Sequence, residues 1–511
     1  MRRSQKKHII IVELFFERTH EMIKHSISDE TERRLFGNGR GRAVILGLGV
    51  SNLPLARMLA ARGARLEIRD SKELAALGPA AAELAASGAE LICGADPTRG
   101  LCREGIENAV IFRSPGIRPD AGDIPEAVRR GAFLTSEMEW FCDATPATVI
   151  AVTGSDGKTT TTTLTYLLLS SAAKRTGGHV YVGGNIGTPL LDRVDEMKPS
   201  DYAVLELSSF QLMTMRGMAS RAAITNITPN HLNWHTGMDE YIRAKYNVMG
   251  NDTELVVLNA KSADAAAAAD AYPERRGAVT FFSAHTASYD ETVPANRRGR
   301  ANAIFLRGNS IVFSDGHSEE ELLLRTDIKL PGLHNVENYM TAAALTRGLI
   351  ARDDLAEVAR TFGGVPHRIE FVRELDGVKY YNSSIDSTPT RTEAALSVFD
   401  CRPVFILCGR DKHVPFDSLA RALYDRAGGV VVSGEAMPVI RRALEAEAAR
   451  RGSDSLPIAY EDDFFAAIDR ARGLARPGSA VVLSPSCTSF DRFRNFEERG
   501  DAFREYVKKL V

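Results

Sequence analysis

The stretch 151-AVTGSDGKTTTT-162 decides the fold of this 511-residue chain. It follows an apolar run at 149–152 and continues into a Thr-rich segment with Leu164, Leu167 and Leu168. An apolar strand, a glycine turn and a helix in this order are typical of a phosphate-binding loop. The turn offers backbone N–H groups and the start of the helix adds positive partial charge, so both attract phosphate oxygens.

The loop is a variant of the common P-loop pattern Gly-x4-Gly-Lys-Ser/Thr, because Val152 stands where that pattern has its first glycine. Lys158 would supply a point charge for the outer phosphates, and the Thr159 hydroxyl would bind Mg²⁺. The alternative is a glycine turn that only caps a helix. The order of strand, glycines, lysine and threonine favours the phosphate site.

A carboxylate follows the next clear strand, in 201-DYAVLELSSFQL-212. The apolar run ends at Glu206 and leads into Ser208 and Ser209. The carboxyl end of a strand in a P-loop sheet is where a further metal ligand belongs. A surface glutamate on an edge strand is the alternative, and the flanking apolar residues disfavour it.

Two histidines, His231 and His235, occur in ITNITPNHLNWH, and Lys245 follows in EYIRAKYNV. On a helix, histidines four residues apart can bind a metal. Pro229 and the intervening Asn-Trp indicate a loop instead, so the pair does not predict a zinc site. A single His231 would also be typical of a structural histidine.

An earlier segment, 43-AVILGLGVSNLPLARMLAARGARLEIRD-70, predicts a strand, a glycine turn, a helix and a second strand. This is a βαβ unit of Rossmann type, and Asp70 is placed to bind a ribose hydroxyl. The dinucleotide fingerprint wants a third small residue where Asn52 stands. A plain α/β unit without a ligand therefore remains equally open from this segment alone.

Length and composition favour an ordinary multidomain protein of about three domains. The net charge of −2 indicates neither a nucleic-acid nor a membrane surface. Six cysteines without a Cys-x-x-Cys pair predict reduced thiols in a cytosolic protein. The start MRRSQKKHIIIVELFF resembles a signal peptide, but its apolar part is too short and contains Glu13. Residues 1–40 are therefore interpreted as a charged extension, and no apolar run is long enough to span a membrane.

Alternating strand and helix patterns predict three successive α/β regions. A helical pattern is expected over the Ala-rich 73–90, and surface insertions over 264–276 and 288–300. The remaining predicted strands are 109–112, a segment before Thr135, 180–182, 202–207, 222–226, 255–258, 404–409, 429–434 and 479–485, with a helix starting within 331–345.

Taken together, TGSDGKTT, VGGNIGTPL, LELSSFQL, NITPNHLNWH, YIRAKYNV, GLHNVEN, PHRIE, CGRDKHVPFD and LSPSCTSFDRFRNFEERGDAF resemble the Mur ligase family. The motifs cover about residues 43–511 in family order. The resemblance implies an α/β fold with the three-domain Mur ligase architecture. After the extension at 1–40, it implies a Rossmann-like UDP-binding domain at 41–145, a P-loop ATPase-like central domain at 146–362 and a Rossmann-like amino-acid-binding domain at 363–511.

The resemblance also implies an activity. Family members are ATP-dependent amide ligases, and GLGVSN and the last two motifs resemble those that join D-glutamate to UDP-N-acetylmuramoyl-L-alanine through an acyl phosphate. The expected cofactors are ATP and Mg²⁺. A cytoplasmic monomer in peptidoglycan precursor synthesis is expected, without nucleic acid or membrane insertion.

The resemblance assigns roles residue by residue. Lys158, Glu206, His231 and Lys245 are the implied catalytic residues, and Lys245 is carbamylated in the family. Metal ligands are Thr159, Glu206, His231 and the modified Lys245. The ATP set is Gly154, Ser155, Asp156, Gly157, Lys158, Thr159, Thr160, Asn335, Asn338 and Arg368, with His367 beside the last. The UDP-substrate set is Val50, Ser51, Asp70, Ser71, Ser114, Pro115, Gly116, Asn185, Ser208 and Gln211. The D-glutamate set is Ser387, Lys412, Ser489 and Phe496.

Two segments depart from the family pattern. Many members carry Asn-Asp-Ser-Lys-Ala-Thr where 382–387 reads NSSIDS, so Ser383 replaces an acid near the ATP ribose and Asp386 is new. Many also carry Asp-His-Leu-Asp-Arg where 230–234 reads NHLNW, which removes a local charge pair but keeps His231.

Three alternatives remain. A sister ligase adding another amino acid is the nearest, and the stretch SCTSFDRFRNFEERG argues against it. A folate polyglutamate synthase would share the central fold but not the GLGVSN domain. A nucleotide-binding regulator would not need metal and amino-acid motifs at opposite ends of the chain.

Overall fold

Residues 27–37, 41–49, 51–411, 414–452 and 455–511 are described by the computed structural model. Within them the strands form three sheets. The chain divides into two compact units, the first made of Met1–Leu324 with Glu337–Leu355 and the second of Arg325–Val336 with Ala356–Val511. Val50, Lys412 and most of the N-terminal extension lie outside the described residues.

The first sheet has five parallel strands in the order β3-β2-β1-β4-β5. The central strands are apolar and buried because helices cover the sheet. The order reverses between β1 and β4, which is where doubly wound sheets bind ligands. The strands are β1 (Arg42–Leu46), β2 (Arg65–Asp70), β3 (Glu90–Cys93), β4 (Val110–Arg113) and β5 (Phe133–Thr135); the α-helices are Asn52–Ala61, Pro79–Ala86, Ile124–Arg129 and Glu137–Ala144.

Part of the N-terminal extension packs on this first sheet. Ile27–Glu32 is an α-helix and Arg33–Gly37 continues as a π-helical turn. Leu35 is buried in the core, and Arg34 donates to the carbonyls of Glu107 (2.9 Å) and Gly131 (2.7 Å). These eleven described residues are thus integrated with the domain that follows them.

The prediction of one continuous helix over 73–90 was wrong. Leu74–Leu77 is a 3₁₀ turn, and a separate α-helix, Pro79–Ala86, follows. Gly78 between them has φ +74°, and Pro79 cannot donate a helical hydrogen bond, so the helix restarts there. Glu90 opens β3 instead of ending a helix.

The second sheet has nine strands in the order β14-β13-β12-β11-β10-β9-β6-β8-β7. Strands β6 to β12 run parallel, and β13 and β14 add an antiparallel edge. The strands are β6 (Thr148–Thr153), β7 (Val180–Gly184), β8 (Tyr202–Glu206), β9 (Arg221–Ile224), β10 (Leu255–Asn259), β11 (Ala278–Ser283), β12 (Asn302–Arg307), β13 (Ser310–Ser314) and β14 (Glu319–Leu324).

Two helices of the second sheet carry the lysines of the candidate site. The longest begins at the glycine turn, and another carries Lys245. The α-helices of this region are Lys158–Thr176, Ser209–Leu212, Met238–Tyr246, Ala263–Ala267, Tyr289–Thr292, Leu333–Thr346 and Arg352–Thr361.

The two expected surface insertions pack partly into the core. Ala265 and Ala268, within the Ala-rich segment, are buried, as are Thr292 and Val293 in the polar one. Small alanine side chains let a short helix approach the sheet closely, so an Ala-rich segment does not by itself indicate exposure.

The third sheet has the order β15-β16-β20-β17-β18-β19, and only the β15–β16 pair is antiparallel. Buried apolar residues on both of its faces pack against helices. The strands are β15 (Glu370–Leu375), β16 (Val378–Asn382), β17 (Val404–Cys408), β18 (Gly429–Ser433), β19 (Ile458–Tyr460) and β20 (Ala480–Ser486); the α-helices are Pro389–Ser397, Asp417–Arg426, Met437–Arg451, Phe464–Leu474 and Phe496–Lys509.

Two global expectations can be compared with the structure. All six cysteines, each in a described position, are unpaired. None of the helices in the described ranges has the length and apolar character needed to cross a bilayer.

Candidate phosphate and metal site

The glycine turn lies between β6 and the helix Lys158–Thr176. Gly157 has φ +77°, and a Cβ there would come within 2.5 Å of the Asn338 amide oxygen. Gly154 has φ +146°, and a Cβ would overlap the Thr225 hydroxyl. Both positions require glycine, so the turn is a tightly constrained loop at the start of a 19-residue helix.

Neighbouring segments hold the turn in place. Asp156 N–H donates to the Asn226 side chain (2.9 Å), and Ser155 Oγ donates to the Thr228 carbonyl (2.9 Å). Ser155 Oγ also lies 2.9 Å from the Tyr241 hydroxyl. The Ser155 side chain is therefore occupied in supporting the loop, although its backbone remains part of the turn.

Two lysines meet at one carbonyl oxygen of the turn. Lys158 Nζ donates to the carbonyls of Gly154 and Ser155, each at 2.9 Å. Lys245 Nζ, which is only 2% exposed, donates to the same Gly154 oxygen at 2.7 Å. Burial, and secondarily the charge of Lys158, hold the pKa of Lys245 well below its usual range. The environment of Lys245 therefore disfavours its ammonium form.

Glu206 ends β8, directly beside the strand that leads into the turn. It pairs with Val152 across the ladder and is 1% exposed. One carboxylate oxygen accepts a hydrogen bond from the Asn185 side chain at 2.8 Å. The other, Oε2, is buried without a hydrogen-bond partner. A buried carboxylate oxygen left unpaired is costly, and a hard cation such as Mg²⁺ would satisfy it.

His231 and His235 have different environments. Residues 231–235 form a turn, which confirms the loop expected from Pro229. His231 is exposed with φ +54°, and burial of its ring together with Lys158 and Lys245 lowers its pKa. His235 is buried and contacts Glu240 (3.0 Å) and Ser209 (2.9 Å). His235 is therefore the satisfied structural histidine, and His231 is available to a ligand.

Among the described residues, no group of three or more His, Cys, Asp or Glu side chains is arranged to hold a metal ion alone. A cation at Glu206 would need further oxygens, such as the Thr159 hydroxyl and those of a bound phosphate. Mg²⁺ usually binds proteins in this way, through one or two carboxylates and substrate phosphates.

Three residues expected near the UDP-substrate have visible structural roles. Asn185 orients Glu206 as described above. Ser208 and Gln211 form a reciprocal capping box at the start of the short helix Ser209–Leu212, with Gln211 Oε1 accepting from Ser208 N at 3.0 Å. Asn185 directly follows β7, and Ser208 and Gln211 follow β8.

The other expected UDP residues lie at the carboxyl ends of β1, β2 and β4, beside the reversal of strand order. Asp70 accepts from the backbone N–H groups of Leu48 (2.8 Å) and Lys72 (2.9 Å). Asn52 donates to the Gly47 carbonyl at 2.9 Å, so it ties down the turn where a third small residue was expected. Assigned residues in this crevice are Ser51, Asp70, Ser71, Ser114, Pro115 and Gly116.

The ATP residues beyond the turn fall in both units. Asn338, in the first unit, accepts from the Thr161 hydroxyl (3.1 Å) and faces Gly157. Asn335, in the second, donates to the Pro331 carbonyl at 2.7 Å. His367, with φ +63°, contacts the Asn382 amide at 3.1 Å, and Arg368 follows it.

The expected D-glutamate residues border the carboxyl end of the third sheet. Ser387 follows β16, and Ser489 and Phe496 follow β20. The Phe496 ring packs edge-on against His367 at 6.0 Å. Lys412, assigned to the same set, follows β17 in sequence but lies outside the described residues.

The departure at 382–387 is a buried network. Asp386 accepts from the Ser484 hydroxyl at 2.9 Å, and burial raises its pKa to about 6 despite hydrogen bonds from Ser383 and Ser484 and the charges of Arg368 and Arg391. The Ser383 hydroxyl oxygen accepts a hydrogen bond from Ile369 N–H at 3.1 Å. The Asp386 carboxyl therefore makes hydrogen bonds inside the folded loop.

Sequence reasoning missed the side chains that link the first and second sheets. Arg113 ends β4 and Arg118 lies in the loop after it, and both reach segments of the central domain. Trp234 donates to the Gly116 carbonyl at 3.1 Å. No short motif marks these residues, and the only signal was the unusual tryptophan at 234.

Comparison with known domains and proteins agrees with this architecture. Residues 152–346 match the Mur ligase middle domain, and residues 367–487 match the Mur ligase glutamate ligase domain. A solved ligase from Acinetobacter baumannii, UDP-N-acetylmuramoylalanyl-D-glutamyl-2,6-diaminopimelate–D-alanyl-D-alanyl ligase, has a similar fold. Its TM-score is 0.50 at 13% identity, over 95% of this chain and 98% of that one.

Curated relatives share far more sequence. The UDP-N-acetylmuramoylalanine–D-glutamate ligase of Clostridium novyi is 41% identical over 468 residues, 91% of this chain and 96% of the relative. The ligase of the same name from Ruminiclostridium cellulolyticum is 40% identical over 472 residues, 92% and 97% of the two chains. The chain therefore belongs to the Mur ligase family and is similar to its UDP-N-acetylmuramoylalanine–D-glutamate ligases.

Proposed function

We propose that this chain joins D-glutamate to UDP-N-acetylmuramoyl-L-alanine in an ATP-dependent reaction of peptidoglycan precursor synthesis. The proposal rests on family membership over more than nine-tenths of the chain. The structural observation that supports it most is the buried, unpartnered Glu206 oxygen at the strand end next to the glycine turn. We expect the enzyme to act as a monomer in the cytoplasm.

The chemistry requires activation of a carboxylate, because an amine does not displace oxide from a carboxylate at a useful rate. An oxygen of the acceptor carboxylate attacks the γ-phosphorus of ATP, the bond to the bridging oxygen breaks, and ADP leaves. The D-glutamate nitrogen then attacks the carbonyl carbon, the carbon–oxygen bond to phosphate breaks, and phosphate leaves as the nitrogen loses a proton.

Cations must crowd this site because two anions have to approach each other. Lys158 lies on the turn where outer phosphates would bind, and Thr159 and Glu206 are the residues that would hold Mg²⁺. When bound, Mg²⁺ would neutralise phosphate charge. The family resemblance implies that His231 and Lys245 would serve a second Mg²⁺.

Lys245 can bind a metal cation there only if its side chain carries an anionic group in place of the ammonium. Burial and the neighbouring charge of Lys158 disfavour the ammonium form of Lys245. The neutral amine of a lysine can add to carbon dioxide with loss of a proton. The resulting carbamate would offer anionic oxygens to the metal and a counter-charge to Lys158. We include this modification, implied by the family resemblance, in the proposal.

Recognition of the two organic substrates would use the other strand ends. The crevice at Asp70 and Ser114 would receive the uridine diphosphate, and Asn185, Ser208 and Gln211 the muramoyl-alanine end. Within the second unit, Ser387, Ser489 and Phe496, with Lys412, would receive D-glutamate.

The direct test is a substrate panel. Purified protein is incubated with ATP, Mg²⁺ and UDP-N-acetylmuramoyl-L-alanine plus D-glutamate, L-glutamate, L-alanine or a diamino acid, and phosphate release and product mass are measured. The proposal expects product with D-glutamate alone. Product with L-alanine or a diamino acid but not with D-glutamate would assign the chain to a sister activity.

A further inference from the structure

A pair of arginines connects the loop after β4 with the central domain. Arg113 is 1% exposed and donates to the Ile117 carbonyl (2.7 Å) within its own loop. It also donates to the Phe210 carbonyl (2.9 Å), two residues after Ser208. Both loops lie within the first unit, so one buried guanidinium fixes their separation.

Arg118 makes a wider set of contacts with the turn that carries His231. Its Nη1 donates to the Trp234 carbonyl at 2.6 Å, and its two terminal nitrogens reach the Glu240 carboxylate at 2.9 and 3.1 Å. Asp120 binds the remaining edge at 2.8 Å. The guanidinium also lies 5.0 Å from the Trp234 ring centre. Such a planar, forked contact is one that lysine cannot reproduce.

The contacts continue from Arg118 to His231. Burial alone would raise the pKa of Glu240, but hydrogen bonds from His235, Arg118 and Thr236 hold it well below its usual range. The Phe210 ring then packs against both histidines, at 4.8 Å from His231 and 5.7 Å from His235. The exposed His231 is thus held by neighbours that Arg118 anchors.

We propose that Arg118 is a positioning residue that fixes the His231 turn against the loop 114–118, so that the nucleotide-acceptor crevice and the metal and phosphate site are held in one geometry. The inference rests on the proposed function for the roles of those two sites. Arg118 itself touches neither of the implied ligands. Its loss would leave His231 on a turn that must be ordered each time a metal binds.

Loss of a residue that orients a metal ligand typically lowers metal affinity or activity about 10- to 100-fold. Arg118→Ala should therefore raise the half-saturating Mg²⁺ concentration and the KM of the UDP-linked acceptor by about 10-fold or more. Arg118→Lys should recover little, because the forked contact is lost. The KM for D-glutamate should change less than twofold, since its implied residues lie in the second unit.

Arg130→Ala is the matched control. Arg130 is exposed in the same domain, and its carboxylate contact is with Glu126 at 2.7 Å. Each variant is assayed for both KM values and for Mg²⁺ dependence, and Mg²⁺-dependent binding of a non-hydrolysable ATP analogue is measured by calorimetry. If Arg118→Ala does not fold, Trp234→Phe, which keeps an aromatic ring but loses the hydrogen bond to Gly116, replaces it.

The outcomes separate this inference from the proposed function. Weaker Mg²⁺-dependent nucleotide binding in the Arg118 or Trp234 variant supports the positioning role, even if the wild type ligates no D-glutamate and the proposed function fails. An active wild type, with Mg²⁺ dependence and nucleotide binding in these variants equal to those of Arg130→Ala, would overturn the positioning role alone.

Discussion

The carboxyl ends of the second and third sheets differ in how far their buried charged groups are paired. At the second sheet, Glu206 keeps a buried oxygen without a partner, and Lys158 and Lys245 converge on one Gly154 carbonyl. These arrangements are unfavourable without a ligand, because buried charges and unpaired polar atoms both cost free energy. The second sheet therefore places a buried, unpartnered carboxylate oxygen and two converging lysines where phosphate and metal would bind.

At the third sheet several buried polar groups pair with one another, although Ser433 Oγ at the end of β18 has no partner. Arg499 is 1% exposed and donates to Ser384 Oγ (3.0 Å) and to the Ser384 carbonyl (2.9 Å). Asn382 contacts His367 and Glu370, and Asp386 accepts from Ser484. This network holds the strand ends rigid and leaves binding to the loops beyond them. The second sheet thus carries charged groups suited to a phosphate and a metal, whereas the polar network of the third sheet positions the loops around it.

Replacing Lys158 should produce the largest change. Lys158→Ala removes the point charge from the phosphate turn, and loss of one such group typically lowers kcat about 100- to 1,000-fold. The fold should survive, because the lysine is only partly buried. Product formation and circular dichroism check both points.

The control for that variant is Lys174→Ala, on the exposed face of the same helix. It should retain wild-type activity. Substantial ligation by Lys158→Ala would contradict the assignment of the turn as a phosphate site.

Lys245→Ala should lose most activity, about 10- to 100-fold, as expected for loss of a group that holds a metal. Short carboxylic acids in the buffer should restore part of the rate, because they can replace a carbamate oxygen. Arg243→Ala, exposed on the same helix, is the control. A Lys245→Ala enzyme with full activity and no response to added acids would argue against the carbamate.

Glu206→Gln tests whether the unpaired oxygen is functional. The variant keeps an acceptor for Asn185 and removes a buried charge, so the free energy of unfolding should increase by about 1 kcal/mol. The half-saturating Mg²⁺ concentration should rise about 10-fold. Glu196→Gln, at an exposed ion pair, should change neither quantity. Unchanged Mg²⁺ dependence in Glu206→Gln would remove Glu206 from the metal site.

Asp386 gives the third sheet a pH dependence of stability. Burial raises its pKa from the usual 3.8 to about 6, so the folded state binds the proton more tightly than the unfolded state. This stabilisation is complete below pH 3.8 and is lost as the pH rises through 6. The loss amounts to about 3 kcal/mol by pH 7.

Asp386→Asn should therefore unfold in urea with a midpoint that declines less between pH 4 and 7 than that of the wild type. Asp400→Asn, an exposed position in the same unit, should follow the wild-type curve. Identical pH profiles for Asp386→Asn and the wild type would show that protonation of Asp386 does not cause this pH dependence of stability.

Buried parallel strands were the part of the fold that sequence predicted best. Strands such as β1, β8 and β17 are continuous apolar runs that end in glycine or polar residues, because helices cover both faces. Strands β3, β11 to β16 and β19 were missed. The β14 segment, Glu319–Leu324, begins with three exposed glutamates on an antiparallel edge, so it lacks that signature.

The candidate site was predictable where chemistry follows a local motif. The glycine turn, Lys158 and Glu206 are marked by their place after a strand. The roles of Arg118 and Glu240 are not marked, because their contacts join residues 122 positions apart. Such contacts depend on how the first two sheets pack, which no local pattern contains.

The central claim is that a carboxylate oxygen of the acceptor is transferred to phosphorus before the amide forms. The most direct measurement uses UDP-N-acetylmuramoyl-L-alanine with ¹⁸O in the alanine carboxylate, and mass spectrometry of the phosphate released on ligation to D-glutamate. One ¹⁸O atom per phosphate is the predicted result. Phosphate without ¹⁸O, released together with the labelled amide product, would contradict the account.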